Sequence, residues 1–412
     1  MTDKPVLLVT TSTFPRWDGD SEPRFVYDLS TRLADTFQVI VVAPHAVNAP
    51  RHEIQAELHI YRYRYAPATL ETLAYNGGIT ANLKKNRWKY LLLPGFFIGQ
   101  WLMVRKLIKQ HSVKAIHAHW LIPQGLVAVL AISGLKNKPA LLCTSHGGDL
   151  YGLQGKFSKQ LKRWVIQNAQ AISVVSTPMT TIIQALGGDK TPPVQVIPMG
   201  TDLENTFVTD PTVKRLPNQL LFVGRLVEKK GIEYLLQALQ EVHKTYPDIQ
   251  LLIAGSGPLQ NKLENISRQL GLIDKVEFIG RLSHQELVHL YQTSTLAVFP
   301  FVQAKDGDME GLGLVMVEAM GCGCPVVASD LPAVRDVISH NENGYLVKPG
   351  NISVLTASIH TMLEQPDLRT QLIQNGLQTA QQHFDWRAIT QRYQTLILRS
   401  FHIPIKMEAA SA

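Results

Sequence analysis

Cysteine is scarce in this chain: Cys143, Cys322 and Cys324 are the only three among 412 residues. Three thiols cannot build a disulfide framework, and no His or Cys pair stands around them at zinc-finger spacing. A stapled secreted scaffold is excluded, and a reducing, cytoplasmic location is expected. The first residues lack a basic lead, a long apolar core and a small-residue cleavage signal, so secretion is not expected. Long apolar runs are also lacking. The nearest is YLLLPGFFIGQWLMV, Tyr90 to Val104, between KKNRWK and RKLIK. Pro94, Gly95 and Gly99 read as interruptions, and the run falls short of the roughly 18 to 20 apolar residues that a spanning helix needs.

Acidic residues are under-represented in the first half. Residues 1–200 carry 22 Lys/Arg against 11 Asp/Glu, net +11, whereas residues 201–412 carry 18 against 22, net −4, and the two sum to +7. A basic half points to an anionic surface or ligand. It contains neither zinc-finger spacing nor an RNP-like strand, so nucleic acid is not expected as a partner. A Trp- and Phe-rich segment between basic residues fits peripheral contact with an anionic membrane surface. The competing reading is a buried apolar hairpin with solvated basic ends.

What is abundant is the alternation of short apolar runs with helix-period segments, the pattern of a parallel α/β chain. At this length two domains are expected. The first half predicts strands at 6–9, 37–43, 115–118, 140–144, 171–175 and 194–197. The second predicts strands at 220–223, 251–254, 276–279, 296–299 and 325–328. Helices are expected between the latter at 231–244, 259–270, 283–292, 312–320 and 332–338. The aperiodic stretch 200–218 is the expected boundary. Helices follow at 354–364 and 367–382, and then WRAITQRYQTLILRSF, whose Trp386, Ile389, Tyr393 and Leu396 form one apolar face. The expected organisation is an N-terminal Rossmann-like domain over 1–200, a second over 201–385, and over 386–412 a helix that crosses back to the first domain, with a disordered tail at 407–412.

The residues with chemical potential cluster where strands end. In EGLGLVMVEAM, Glu310 precedes a helix start expected near Leu312, where unpaired amides and the positive dipole end suit a phosphate. Gly311 and Gly313 let a diphosphate approach the backbone of Gly311 to Leu314. Glu310 suits acceptance from sugar hydroxyls. Glu318, inside an apolar helix, needs a partner such as a ribose diol. Gly224, Arg225 and Lys230 follow a strand and can hold a diphosphate with a rigid fork and a mobile charge. AGSGPL, with Gly255, follows the next strand and is either a ligand loop or a tight turn, and Arg281 and Leu282 stand where a base could be framed. In SHGGD, His146 can donate to a substrate oxygen or share a proton, or can cap a turn. Asp149 lies nearby. His117 and His119 share one face of a strand, and without a third ligand no metal site is read. Gly19 and Asp20 occupy the first strand-to-helix loop, where Asp20 could orient an acceptor hydroxyl or remain solvated.

EGLGLVMVEAMGCGCPVVASD resembles the signature of the retaining glycosyltransferases of family 4, with two glutamates at Glu310 and Glu318. VGRLVEKKG, AGSGPL, VIPMGTD and SHGGD resemble its other landmarks, and the likeness covers essentially the whole chain. The resemblance implies a GT-B fold: two Rossmann-like α/β domains facing a central cleft, acceptor bound mainly by 1–200 and nucleotide sugar by 201–385. It implies transfer of a hexose from a UDP- or GDP-linked donor to a hydroxyl of a glycan or lipid-linked acceptor, without metal or other cofactor. Catalytic parts would fall to His146, Glu310, Arg225 and Lys230. Donor contacts would come from Gly224, Gly255, Arg281, Leu282, the stretch Gly311, Leu312, Gly313 and Leu314, and Glu318. Acceptor contacts would come from Gly19, Asp20, His119, His146 and Asp149. The opening TSTFPRW and the basic aromatic segment resemble transferases of exopolysaccharide or lipid-linked glycan assembly. One departure stands out: many members carry paired glycines where this chain has Gly19 and Asp20. The alternatives are a nucleotide-sugar 2-epimerase of the same arrangement and a non-catalytic sugar-nucleotide or polysaccharide-binding protein.

Overall fold

A computed structural model describes residues 4–20 and 22–401. The expectation for 407–412 lies outside these described residues. The chain divides into two compact units, one of residues 1–175, 179–197 and 390–412, the other of residues 176–178 and 198–389.

The first unit is built on eight strands: β1 Val6–Thr10, β2 Gln38–Pro44, β3 His52–Gln55, β4 Leu58–Tyr63, β5 Val113–His119, β6 Ala140–Ser145, β7 Ala171–Val174 and β8 Val194–Val196. Their order is β3-β4-β2-β1-β5-β6-β7-β8, parallel except for the β3–β4 hairpin. Leu7, Leu8, Val9, Ile116, Leu141, Leu142 and Ile172 are completely or almost completely buried, as strands covered on both faces require. Two of these strands, β3 and β4, have no counterpart in the sequence reading. Their turn is Ala56–Glu57, both at positive φ (47° and 62°), without the Asn-Gly or Asp-Gly pair that marks such a turn.

The apolar run also differs from its expectation. Leu93–Gln110 is one continuous helix, preceded by a 3-10 turn at Arg87–Leu92. Pro94 sits in its first turn, where no intrahelical amide is lost. Gly95 and Gly99 do not break it either: a Cβ at either would collide with the carbonyl oxygen of Tyr65 or of Arg64. These glycines let the helix approach the chain after β4, and Phe96 packs edge-on against Tyr63 and Tyr65. With the turn, the 24 residues Arg87–Gln110 are long and apolar enough to cross a membrane by length and composition, an 18-residue window within them having a mean hydropathy of 1.4. The run is therefore longer as a helix than the sequence reading gave.

The second unit carries β9 Leu216–Val223, β10 Gln250–Ala254, β11 Val276–Gly280, β12 Ser294–Phe299, β13 Val326–Ser329 and β14 Tyr345–Val347. The order is β11-β10-β9-β12-β13-β14, all parallel. Helices cover the sheet, among them Ile232–Thr245, His284–Thr293 and Leu314–Gly321. The helix expected at 332–338 is only the 3-10 turn Val334–Asp336. The final helix, Trp386–Ser400, spans the point where the chain leaves this unit. From Thr390 on it belongs to the first unit, where the Tyr393 hydroxyl donates to the Ile197 carbonyl at 3.2 Å.

Candidate active site

In the second unit the chain turns at the carboxyl end of β9 through Gly224 and Arg225 into a 3-10 turn, Glu228–Lys230. Gly231 closes that turn at φ +66°, and a Cβ there would strike the Pro300 carbonyl. The close approach fixes Lys230 beside the segment that follows β12. Its Nζ lies 2.6 Å from Glu310 Oε2 and 4.5 Å from the centre of the Phe301 ring. Lys229 makes a parallel link, with Nζ 3.1 Å from Asp308 Oδ2 and donating to the Met309 carbonyl at 3.1 Å. Glu310 Oε1 also accepts from the Gly311 amide at 3.3 Å. Burial pushes the Glu310 carboxyl up, but Lys230, then Lys229 and the hydrogen bonds, outweigh it and hold the group below the usual range. Glu310 is therefore an anion locked to a cation. Arg225 is solvent-exposed, at the mouth of the same turn.

The helix after Glu310 begins at Leu314, two residues later than expected, because Gly313 adopts φ +87° and cannot be its first helical residue. A Cβ on Gly313 would press on Met316 and Phe301. Leu312 is buried and Gly311 partly so. Glu318, one turn into the helix, accepts from the Tyr291 hydroxyl at 3.1 Å. Burial pushes its carboxyl up to about 7, with the Tyr291 hydrogen bond and Lys230 pulling the other way. Tyr291 itself is fully buried. It sits on the helix His284–Thr293, which Ser283 and Glu286 cap reciprocally.

AGSGPL is a packing device as well as a loop. Gly255, at φ +139°, lies against the Gly224 backbone, and Gly257 against that of Leu226. Arg281 Nε donates to Ser256 Oγ at 2.7 Å, joining the loops after β10 and β11. Leu282 lines, with Ile279, His289 and Leu290, an apolar hollow of about 420 Å³.

In the first unit the ends of β5 and β6 bring three histidines together. His119 Nδ1 and His146 Nε2 are 3.0 Å apart with rings stacked, and His117 Nε2 meets Thr144 Oγ1 at 2.7 Å. His117 also lies 5.3 Å from the Tyr393 ring. Burial pushes His146 and His117 down to about 3, and burial followed by the charges of His117 and His146 lowers His119 as well. All three are neutral at physiological pH. Among the described residues no group of three or more His, Cys, Asp or Glu could hold a metal ion.

Trp120 carries this cluster at φ +78° and ψ 138°, a conformation that costs a tryptophan about 1–3 kcal/mol. Its amide donates to the Thr144 carbonyl at 2.7 Å, and its ring meets those of His146 and Phe25. Phe25, Trp120, Phe301 and Tyr291 are absent from the sequence reading, since nothing in their spacing separates them from core aromatics. The positive φ of Trp120 has no sequence signal at all.

Two acids expected on the acceptor side are engaged locally. Asp20 is clamped by Arg16, Nε to Oδ2 at 2.8 Å and Nη2 to Oδ1 at 2.7 Å, and also accepts from the Arg16 amide. Burial opposes its ionisation, but the bonds to Arg16 hold it below the usual carboxylate range. Asp149 accepts from Ser145 Oγ at 2.6 Å and the Leu121 amide at 2.7 Å, and burial raises it. Gly19 sits at φ +74° with open space around it.

Two Rossmann-like α/β units in tandem are the GT-B architecture. Residues 23–205 match the family model "Glycosyltransferase Family 4" and residues 209–379 match "Glycosyl transferases group 1". The chain belongs to the family 4 type of glycosyltransferases and is an enzyme that transfers sugar from a nucleoside-diphosphate donor to an acceptor. Among solved structures it is similar to sucrose-phosphate synthase of Thermosynechococcus elongatus, with 23% identity, a TM-score of 0.78, and 97% and 100% of the two chains covered. It also resembles HepE of Anabaena in complex with UDP, with 20% identity, a TM-score of 0.72 and coverage of 96% and 100%. Among sequences it is 23% identical over 395 residues to a GDP-mannose-dependent alpha-(1-6)-phosphatidylinositol monomannoside mannosyltransferase of Mycolicibacterium smegmatis, covering 92% of this chain and 95% of that one.

Proposed function

We propose that the enzyme is a retaining hexosyltransferase that uses a nucleoside-diphosphate hexose and glycosylates a hydroxyl of a glycan or lipid-linked acceptor. The observation that carries this reading is the Lys230–Glu310 pair, a largely buried cation and a partly buried anion 2.6 Å apart between the end of β9 and a glycine-rich helix start. A diphosphate takes over Lys230, with Arg225 as a second cation and the amides of Gly311 to Leu314 completing the cradle. Glu310, released from its lysine, accepts from hydroxyls of the donor sugar. Glu318 holds the ribose diol, with Tyr291 orienting its carboxylate. Gly224, Gly255, Arg281 and Leu282 form the surrounding wall, the last two beside the base. HepE was solved with UDP, and the mycobacterial relative is named for GDP-mannose, so the donor class covers both bases.

The acceptor oxygen bonds to C1 on the face that the diphosphate leaves, as the bond from C1 to phosphate oxygen breaks. The acceptor proton passes to an oxygen of the departing diphosphate. Lys230, Arg225 and the helix start stabilise the growing phosphate charge, which is the dominant contribution expected here. The His119–His146 pair of the first unit is assigned to the acceptor side, where neutral His146 donates to or accepts from a substrate hydroxyl. The enzyme works at a cytoplasmic membrane face.

Glu310→Gln is the direct test. Transfer should fall by about a hundredfold or more while nucleotide affinity, measured by calorimetry with UDP and GDP, changes little. Unchanged turnover would overturn the assignment. NMR of the product's anomeric proton decides retention, and diphosphate release across a donor panel decides the sugar.

A further inference from the structure

The helix Leu93–Gln110 buries one face and leaves the other apolar. Phe96, Gln100, Val104 and Leu107 face the domain. Leu91, Ile98 and Leu102, spaced seven and four apart on the opposite side, are 81%, 56% and 55% exposed, with Trp88 and Trp101 also at the surface. A soluble surface gains nothing from such a stripe. The neighbouring helix Leu126–Ile132 accepts Arg105 at its end, through the Ala131 carbonyl at 2.8 Å. Beyond it the helix Lys156–Asn168 shows the same pattern, with Val165 and Ile166 buried while Phe157 and Trp164, seven residues apart, are exposed.

The charge around this face is one-sided. From Thr72 to Gly148 the sequence holds ten Lys and Arg and no Asp or Glu. Lys106 and Lys109 are exposed at the end of the long helix, as are Lys156, Lys159 and Arg163 on the second one. Lipid with anionic head groups matches both features together, since aromatic and aliphatic side chains enter the acyl boundary while the lysines reach head-group phosphates. A second copy of the chain would bring the same exposed lysines to the contact, which disfavours self-association through this face.

We infer that the face formed by Leu91, Ile98, Trp101 and Leu102, extended by Phe157 and Trp164, seats the first unit flat on an anionic bilayer. The helix lies in the interface and does not cross it, because its other face is built into the domain. This deepens the lipid-linked branch of the function proposed above and rests on that branch for its purpose, but the binding itself needs neither donor nor acceptor.

The experiment is co-sedimentation of the full chain with vesicles of phosphatidylcholine alone and with one third phosphatidylglycerol, at low and at 0.5 M salt. Binding should require the anionic lipid and weaken with salt. Ile98→Asp with Leu102→Asp should abolish it, and Lys106→Glu with Lys109→Glu should lower the partition coefficient more than about tenfold. Phe157→Ser with Trp164→Ser should weaken it independently. Circular dichroism and UDP or GDP affinity, both unchanged in all three variants, show that the fold and donor site survive. Equal binding to both vesicles, or variants that bind as the parent does, overturns the inference. So does release only by detergent, which would mean a spanning helix, or a dimer that the same substitutions dissolve. Loss of nucleotide binding in the unsubstituted chain would instead strike at the proposed function.

Discussion

Lys230 and Glu310 are eighty residues apart in sequence, and no sequence spacing links them. Their pairing is set by Gly231, whose missing Cβ lets the turn sit against the Pro300 carbonyl. Glu318 carries the opposite electrostatics, and this gives a test that does not need the substrate. Its folded pKa, about 7, lies above that of an unfolded glutamate, so the folded state binds the extra proton. The stability it contributes is full below about pH 4.5 and is lost as pH rises towards 7, by up to about 3 kcal/mol. Glu318→Gln should therefore gain stability relative to the parent between pH 5 and 7.5 in urea melts, while losing nucleotide affinity if the ribose assignment is right. A constant difference across that range would contradict the buried, Tyr291-bonded carboxyl. Glu310, the basic turn and His146 were legible because they follow apolar runs that end at the carboxyl edges of the two sheets. Tyr291, Phe301 and Trp120 were not, because an aromatic beside a site and an aromatic in a core share the same sequence pattern.

Among the elements, the helix Leu93–Gln110 shows how local propensity and tertiary contact disagree. By propensity, Gly95→Ala and Gly99→Ala should each stabilise a helix by about 0.5–1 kcal/mol. Here the added methyl meets the Tyr65 or Arg64 carbonyl, so each should instead destabilise by about 1–3 kcal/mol, visible as a lower urea midpoint at unchanged slope. Gain of stability by either would mean that the helix does not pack on the chain after β4. The same limit explains what the pattern of apolar runs left out. The hairpin β3–β4 lacks turn residues, and β14 has only three residues. The long parallel strands, in contrast, announce themselves as continuous Val/Ile/Leu runs.

Taken over the whole molecule, the buried histidines of the first unit and Glu318 of the second respond to acid in opposite senses. His117, His119 and His146 are buried neutral in the first unit, with folded pKa values depressed below the unfolded value. Their contribution is present above about pH 6.5 and is lost as pH falls towards 3. The second unit holds Glu318, which favours acid over the same range. On lowering the pH from 7 to 4, pulse-labelled hydrogen exchange should therefore rise first in peptides from β5 and β6, and later in those from β9 and β12. Simultaneous opening, or earlier opening of the second unit, would contradict this ordering. The sequence by itself determined two α/β units and the residue types gathered at strand ends, because burial on both faces of a parallel sheet writes itself as apolar runs and glycine-marked turns. Only the tertiary structure decided which charges pair, which acids are spent on local bonds and which face of a helix is left bare. Those outcomes depend on distances between segments far apart in the chain, and a sequence pattern records spacing along the chain alone.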